Sequence, residues 1–181
     1  IITWEDYREG DSANSVGGAI YAVRMDGSGQ IGPGWAADGT RICATSTSQT
    51  WPVIVEDGEG GAIIAWSDQD IRALRLTHEG QVAAGWPTCG LVLGGARGTQ
   101  EFASICSDGA SGALVAWRDL RTYAPPGFWF PFYDLYGTHV TASGTIPQGW
   151  PSDGLPLSTA ANAQYNALLV PDGQGGAIVA W

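Results

Sequence analysis

Three stretches of the chain read almost alike: DGEGGAIIAW at 57–66, DGASGALVAW at 108–117 and DGQGGAIVAW at 172–181. In each, Asp-Gly supplies the positive φ of a tight turn, and the small and β-branched residues that follow read as a buried strand. Working outward from them, three blocks of 47 residues align without a gap: Ile20 to Trp66, Ile71 to Trp117 and Leu135 to Trp181. The same residue recurs at Gly29, Gly80 and Gly144, at the Gly-Trp pairs ending in Trp35, Trp86 and Trp150, at Gly39, Gly90 and Gly154, and at Gln49, Gln100 and Gln164. The chain opens on IITW, a further copy of the end of the phrase. Successive phrase tryptophans lie 62, 51 and 64 residues apart, so all length variation falls just after Trp-x-Asp. A repeat of this period is the signature of stacked supersecondary units.

Each unit reads as four short strands separated by Gly, Asp and Pro, with no helical period competing. In the unit that opens on the phrase at 57–66 these are Ala62 to Asp68, Ile71 to Thr77, Leu91 to Leu93 and Glu101 to Ser107. A four-stranded meander that is apolar on both faces must stack on copies of itself, which predicts an all-β fold: a β-propeller of four-stranded antiparallel blades, the phrase strand innermost. A β-solenoid is the alternative. The reading treats residues 1–181 as one partial propeller of three blades, a fragment of a larger ring, with insertions at about 9–18 and 122–133.

The combined pattern DGxGGAI-[IV]-[AT]-WxD, then IYAxR, then GWxxxG, resembles a family of bacterial secreted propeller repeats found in large exported or cell-surface proteins. The resemblance spans essentially the whole chain. It implies an extracellular or cell-surface location and a structural or adhesive role, and assigns no activity. The middle block departs from the pattern, because Trp66-Ser67-Asp68-Gln69-Asp70 lacks the arginine present at Arg8 and Arg121.

Composition narrows the function classes. Of 181 residues 44% are hydrophobic and 14% charged, too apolar for a disordered chain, and the apolar runs are too short to span a bilayer. Eight arginines against 18 acidic residues, with no lysine, give a net charge of −10, which excludes a phosphate-backbone partner. Nucleic acid and membrane insertion are therefore not expected.

Seven of the nine tryptophans occupy repeat columns and are expected to pack the blades. Trp51 and Trp129 do not. Trp129 lies in TYAPPGFWFPFY at 122–133, whose prolines make it a stiff aromatic loop. Tyr123, Phe128, Trp129, Phe130, Phe132 and Tyr133 are thus the candidate binding residues, against the alternative that the loop plugs its own blade edge. Asp6, Asp68 and Asp119 are expected to hold turns, and a cation ring is the minor alternative. The glycine-rich turns at Asp57, Asp108 and Asp172 carry no phosphate-loop signature. His78 and His139 fall in different columns, and no catalytic or metal-binding constellation emerges, so no cofactor is expected. If the third and fourth strands of that unit form a hairpin, the register that sets Leu93 opposite Phe102 also sets Cys89 opposite Cys106, a candidate disulfide that leaves Cys43 free. The function expected is a non-enzymatic extracellular module with a structural, adhesive or assembly role. A lectin-like propeller is the alternative, and part of a secreted glycoside hydrolase is less favoured. Protein, another copy of the chain, or glycan would bind the face that carries the variable loops.

Overall fold

The structure, a computed structural model, describes residues 1–8, 17–45, 47–122 and 132–181. These form thirteen strands and no helix. In chain order the strands are β1 (Ile2–Asp6), β2 (Ala19–Val23), β3 (Thr40–Arg41), β4 (Thr50–Glu56), β5 (Ala62–Ser67), β6 (Ile71–Leu76), β7 (Leu91–Gly94), β8 (Gln100–Ser107), β9 (Ala113–Asp119), β10 (Asp134–Val140), β11 (Leu155–Ser158), β12 (Leu168–Pro171) and β13 (Ala177–Ala180). They pair antiparallel into four sheets, β1-β2-β3, β4-β5-β6-β7, β8-β9-β10-β11 and β12-β13. No sheet closes on itself.

The four strands read between Ala62 and Ser107 appear almost as expected, as β5 to β8, but the sheet is β4 to β7, offset from that unit by one strand. In the two four-stranded sheets the phrase strand is not an edge. β5 is flanked by β4 and β6, and β9 by β8 and β10. The reason lies in the Asp-Gly turns. In each, the first carboxylate oxygen accepts two backbone N–H groups, from Glu59 and Gly61 at Asp57 and from Ala110 and Gly112 at Asp108, all within 2.9 Å. That locks β4 to β5 and β8 to β9 as tight hairpins. β7 pairs with β6 but not with β8, and the chain between them crosses to the next sheet.

The offset overturns the expected Cys89–Cys106 pair, because the hairpin that would align them does not exist. Cys89 instead bonds Cys43, with Cα atoms 4.7 Å apart, and Cys106 is a buried free thiol in β8. The disulfide ties the first sheet to the second. Its two cysteines occupy different repeat columns because they meet across a sheet interface, where columns are staggered.

A single core cluster runs through the first three sheets, with Ile63, Ile64, Trp66, Ile71, Leu74 and Trp117 wholly buried. β4 lies against β8, and β8 against β12. Two of the recurring tryptophans join successive repeats elsewhere, at their turns. Trp35 and Trp86 donate their indole N–H at 2.9 Å to the carbonyls of His78 and Ala142, each in the turn of the following repeat. A Cβ on Gly80 or Gly144 would stand 3.0 or 2.9 Å from those same rings. Trp35, Trp66, Trp86 and Trp117 are buried and Trp4 and Trp150 half-buried, as packing requires, whereas Trp181 on the β12-β13 side is 61% exposed.

Candidate functional site

The end of the sheets from which the variable connections leave carries two constructions. One recurs at the ends of β1 and β9. Trp117 donates its indole N–H to Asp119 at 3.0 Å, and the Arg121 guanidinium reaches the same carboxylate at 2.9 and 2.7 Å. That guanidinium lies 3.6 Å over the ring of Tyr136 on the neighbouring strand. Trp4, Asp6, Arg8 and Tyr21 repeat the arrangement, with indole and guanidinium each 2.9 Å from Asp6 and Arg8 4.3 Å over the ring. Arg8, and after it Trp4, holds the Asp6 carboxyl well below the usual carboxylate range. Asp6 and Asp119 also accept the backbone N–H two residues on, so they hold turns as expected.

In the middle sheet the cation changes strand. Asp70 stands in the arginine column and Arg72 in the tyrosine column, and Arg72 reaches Asp68 at 2.7 Å. This contact is a charge pair whose N–H is poorly aligned for a hydrogen bond, and both Trp66 Nε1 and Asp68 Oδ1 are buried without a bond. Burial pushes the Asp68 carboxyl above its usual range, and Arg72 only partly offsets it.

The second construction is a left-handed bulge. Trp51, Phe102 and Asn166 occupy one repeat column, two residues after the recurring glutamine, and their φ values are 53°, 55° and 57°. The pairing register shifts there in both β4-β5 and β8-β9. Asn tolerates this conformation, whereas Trp and Phe hold it at a cost of about 1–3 kcal/mol each. The bulge turns their side chains into a row. Trp51 and Phe102 stack with centroids 4.0 Å apart, and the Arg118 guanidinium sits 3.7 Å over Phe102 and 4.5 Å from Tyr133. Tyr133 in turn lies 5.7 Å from Tyr165. Glu101 accepts Arg118 Nε and Nη2 at 3.0 and 2.7 Å, so the one cation of the row is paired. Burial, then Glu101, raises the Tyr133 phenol. Trp51 and Tyr165 remain 41% and 42% exposed.

Of the six aromatic residues singled out from sequence, Phe132 and Tyr133 belong to this region, while Tyr123, Phe128, Trp129 and Phe130 lie outside the described residues. Phe132 and Asp134 line a cavity of about 430 Å³ with Thr122, Thr159 and Asn162. Asp134 is buried and accepts the Thr122 hydroxyl at 2.7 Å. Sequence reasoning did not find Phe102, Arg118 or Tyr165, and noted Trp51 only as outside the pattern. The available signal was the recurring glutamine followed by an unlike residue two positions on.

The remaining polar candidates are structural. Asp57 pairs with Arg75 at 2.9 Å and Asp108 with His139 at 2.8 Å. These pairs link each turn to the next strand but one of its sheet. His78 lies in an exposed turn beside Glu79. Among the described residues no three His, Cys, Asp or Glu side chains gather as a metal site, and no helix is long and apolar enough to cross a membrane. Comparison of the chain with protein families, curated proteins and solved structures finds no match.

Proposed function

We propose that the chain is part of a β-propeller that serves as a non-enzymatic module of an exported or cell-surface protein, with a structural, adhesive or assembly role. The observation that carries the architecture is the repeated inter-sheet relation. Trp35 and Trp86 make the same bond to the next repeat, and the first strands of successive sheets, β4, β8 and β12, lie side by side. Strands lining a common axis would be arranged in this way. The Cys43–Cys89 bridge is of the kind that persists in oxidising compartments.

The binding role is supported by how the carboxylates are used. Asp6, Asp119, Asp57, Asp108 and Glu101 are each held by arginine, histidine or turn N–H groups. Glycoside hydrolysis needs two carboxyl groups flanking a scissile bond. The face with variable loops and the aromatic row is where a ligand would engage, and the exposed ring of Trp51 favours glycan as an alternative to a protein partner.

Electron microscopy of the intact protein tests the architecture: sheets radiating about one axis are expected, and a straight stack advancing by constant translation would overturn it. Release of reducing ends from polysaccharide by the purified protein would overturn the non-enzymatic reading.

A further inference from the structure

We propose that the ledge of Trp51, Phe102, Tyr133 and Tyr165, with the cavity beside it, binds an uncharged sugar residue of a glycan chain. The inference rests on the reading of the chain as a non-catalytic binding module and names the ligand class of that module.

The fold needs the bulge but not the rings. Asn166 adopts the same left-handed backbone in the third repeat, at φ 57°, where Trp51 and Phe102 adopt 53° and 55°. Bulky aromatic residues kept at a strained position that Asn fills at lower cost point to a use outside the fold. The charges of the ledge are spent on one another, since Arg118 is sandwiched between Phe102 and Tyr133 and paired to Glu101. An ionic ligand would therefore find no free counter-charge among these groups.

What the ledge offers is aromatic surface edged by polar groups, among them the Asp134 carboxyl, which accepts the Thr122 hydroxyl. The cavity meets the ledge at Phe132 to Asp134, where the Tyr133 carbonyl accepts the Gln164 N–H at 2.7 Å. Thr122, Thr159 and Asn162 bring hydroxyl and amide groups to its wall. A pyranose has the matching character, with an apolar C–H face to lie on a ring and hydroxyls around its rim. The cavity volume of about 430 Å³ suits a ligand of one or two such rings.

Titration calorimetry of the intact protein with cellohexaose, chitohexaose, xylohexaose and maltohexaose tests this. At least one should bind, and Trp51→Asn should weaken it at least tenfold without lowering the thermal midpoint by more than a few degrees. Tyr165→Ala, a substitution at an exposed side chain, should weaken it similarly. Ile31→Ala, at the opposite end of the sheets, should leave binding unchanged. Absence of binding at millimolar sugar, or wild-type affinity in both ledge variants, would overturn the proposal. If Trp51→Asn instead abolished self-association measured by sedimentation, the sugar would be the wrong ligand while the binding-module reading survived. Cleavage of the hexasaccharide would leave the site but remove the non-catalytic reading.

Discussion

Gly90 and Gly58 share a backbone conformation, with φ of 78° and 74°, but not an environment. A Cβ on Gly90 would stand 2.6 Å from the Trp66 ring and 2.9 Å from the Ala73 carbonyl, whereas one on Gly58 would meet nothing within 4 Å. Gly58→Ala should therefore cost about 1 kcal/mol from left-handed strain alone. Gly90→Ala should cost about 3 kcal/mol once overpacking is added. Urea denaturation of the two variants separates the contributions. Asp57 shows the second kind of residue-scale demand. Burial works to raise its carboxyl, but the Glu59 N–H and the Arg75 guanidinium outweigh it and hold it below the usual range. A depressed folded value means stability that is complete above the unfolded pKa and lost as the pH falls through the folded one. Asp57→Asn should lose about 1–2 kcal/mol at pH 7, because Arg75 loses its buried partner but keeps the exposed Glu59 carboxylate at 2.9 Å. Its stability should also fall less steeply than wild type below about pH 5, which denaturation at a series of pH values will read.

At the scale of an element, the phrase strands β1, β5 and β9 show one solution and one variation on it. β1 and β9 end in Trp-x-Asp-x-Arg with a tyrosine opposite, and the cation comes from the same strand. β5 and β6 exchange these parts, so Arg72 arrives from the strand opposite and meets Asp68 with poorer alignment. The exchange follows from length: Asp68 and Asp70 close a tight turn, with the Asp68 N–H bonded to the Asp70 carbonyl at 3.0 Å, where the other sheets have insertions. Arg72→Tyr should cost about 3 kcal/mol at neutral pH by stranding the buried carboxylate. That cost should shrink as the pH falls through the raised Asp68 value, since a protonated acid needs no cation. Adding Asp70→Arg should recover most of the loss, and a double-mutant cycle by chemical denaturation measures the coupling. The missing arginine at position 70 was visible in the sequence. Its replacement by Arg72 was not, because residues 68 and 72 become neighbours only when the hairpin register is known.

At the scale of the whole molecule, stability depends on ties between sheets that hold few bonds in common. The Cys43–Cys89 bridge spans a sequence separation of 46 and joins the first two sheets. Reduction should lower stability by about 4 kcal/mol on the chain-entropy account, and denaturation with and without reductant checks it. Strand identity and turn placement were legible before any coordinates. β6 begins at Ile71 and β8 ends at Ser107, where the pattern placed them, because alternation and Asp-Gly turns are local properties. The packing role of Trp35, Trp66, Trp86 and Trp117 was legible too, since a residue required in every unit serves the contact between units. The grouping of strands into sheets was not. An Asp-Gly hairpin and an inter-sheet crossing both appear in sequence as short polar connections, and only the pairing shows that β8 belongs with β9. That single difference replaced Cys106 with Cys43 as the partner of Cys89. The row from Trp51 to Tyr165 was hidden for the same reason: its members come from β4, β8, β9 and the segments before β10 and β12, and only stacking the sheets brings their rings together. Local chemistry writes strands and turns into the order of residues, whereas contacts between stacked repeats depend on a stagger that no single repeat contains.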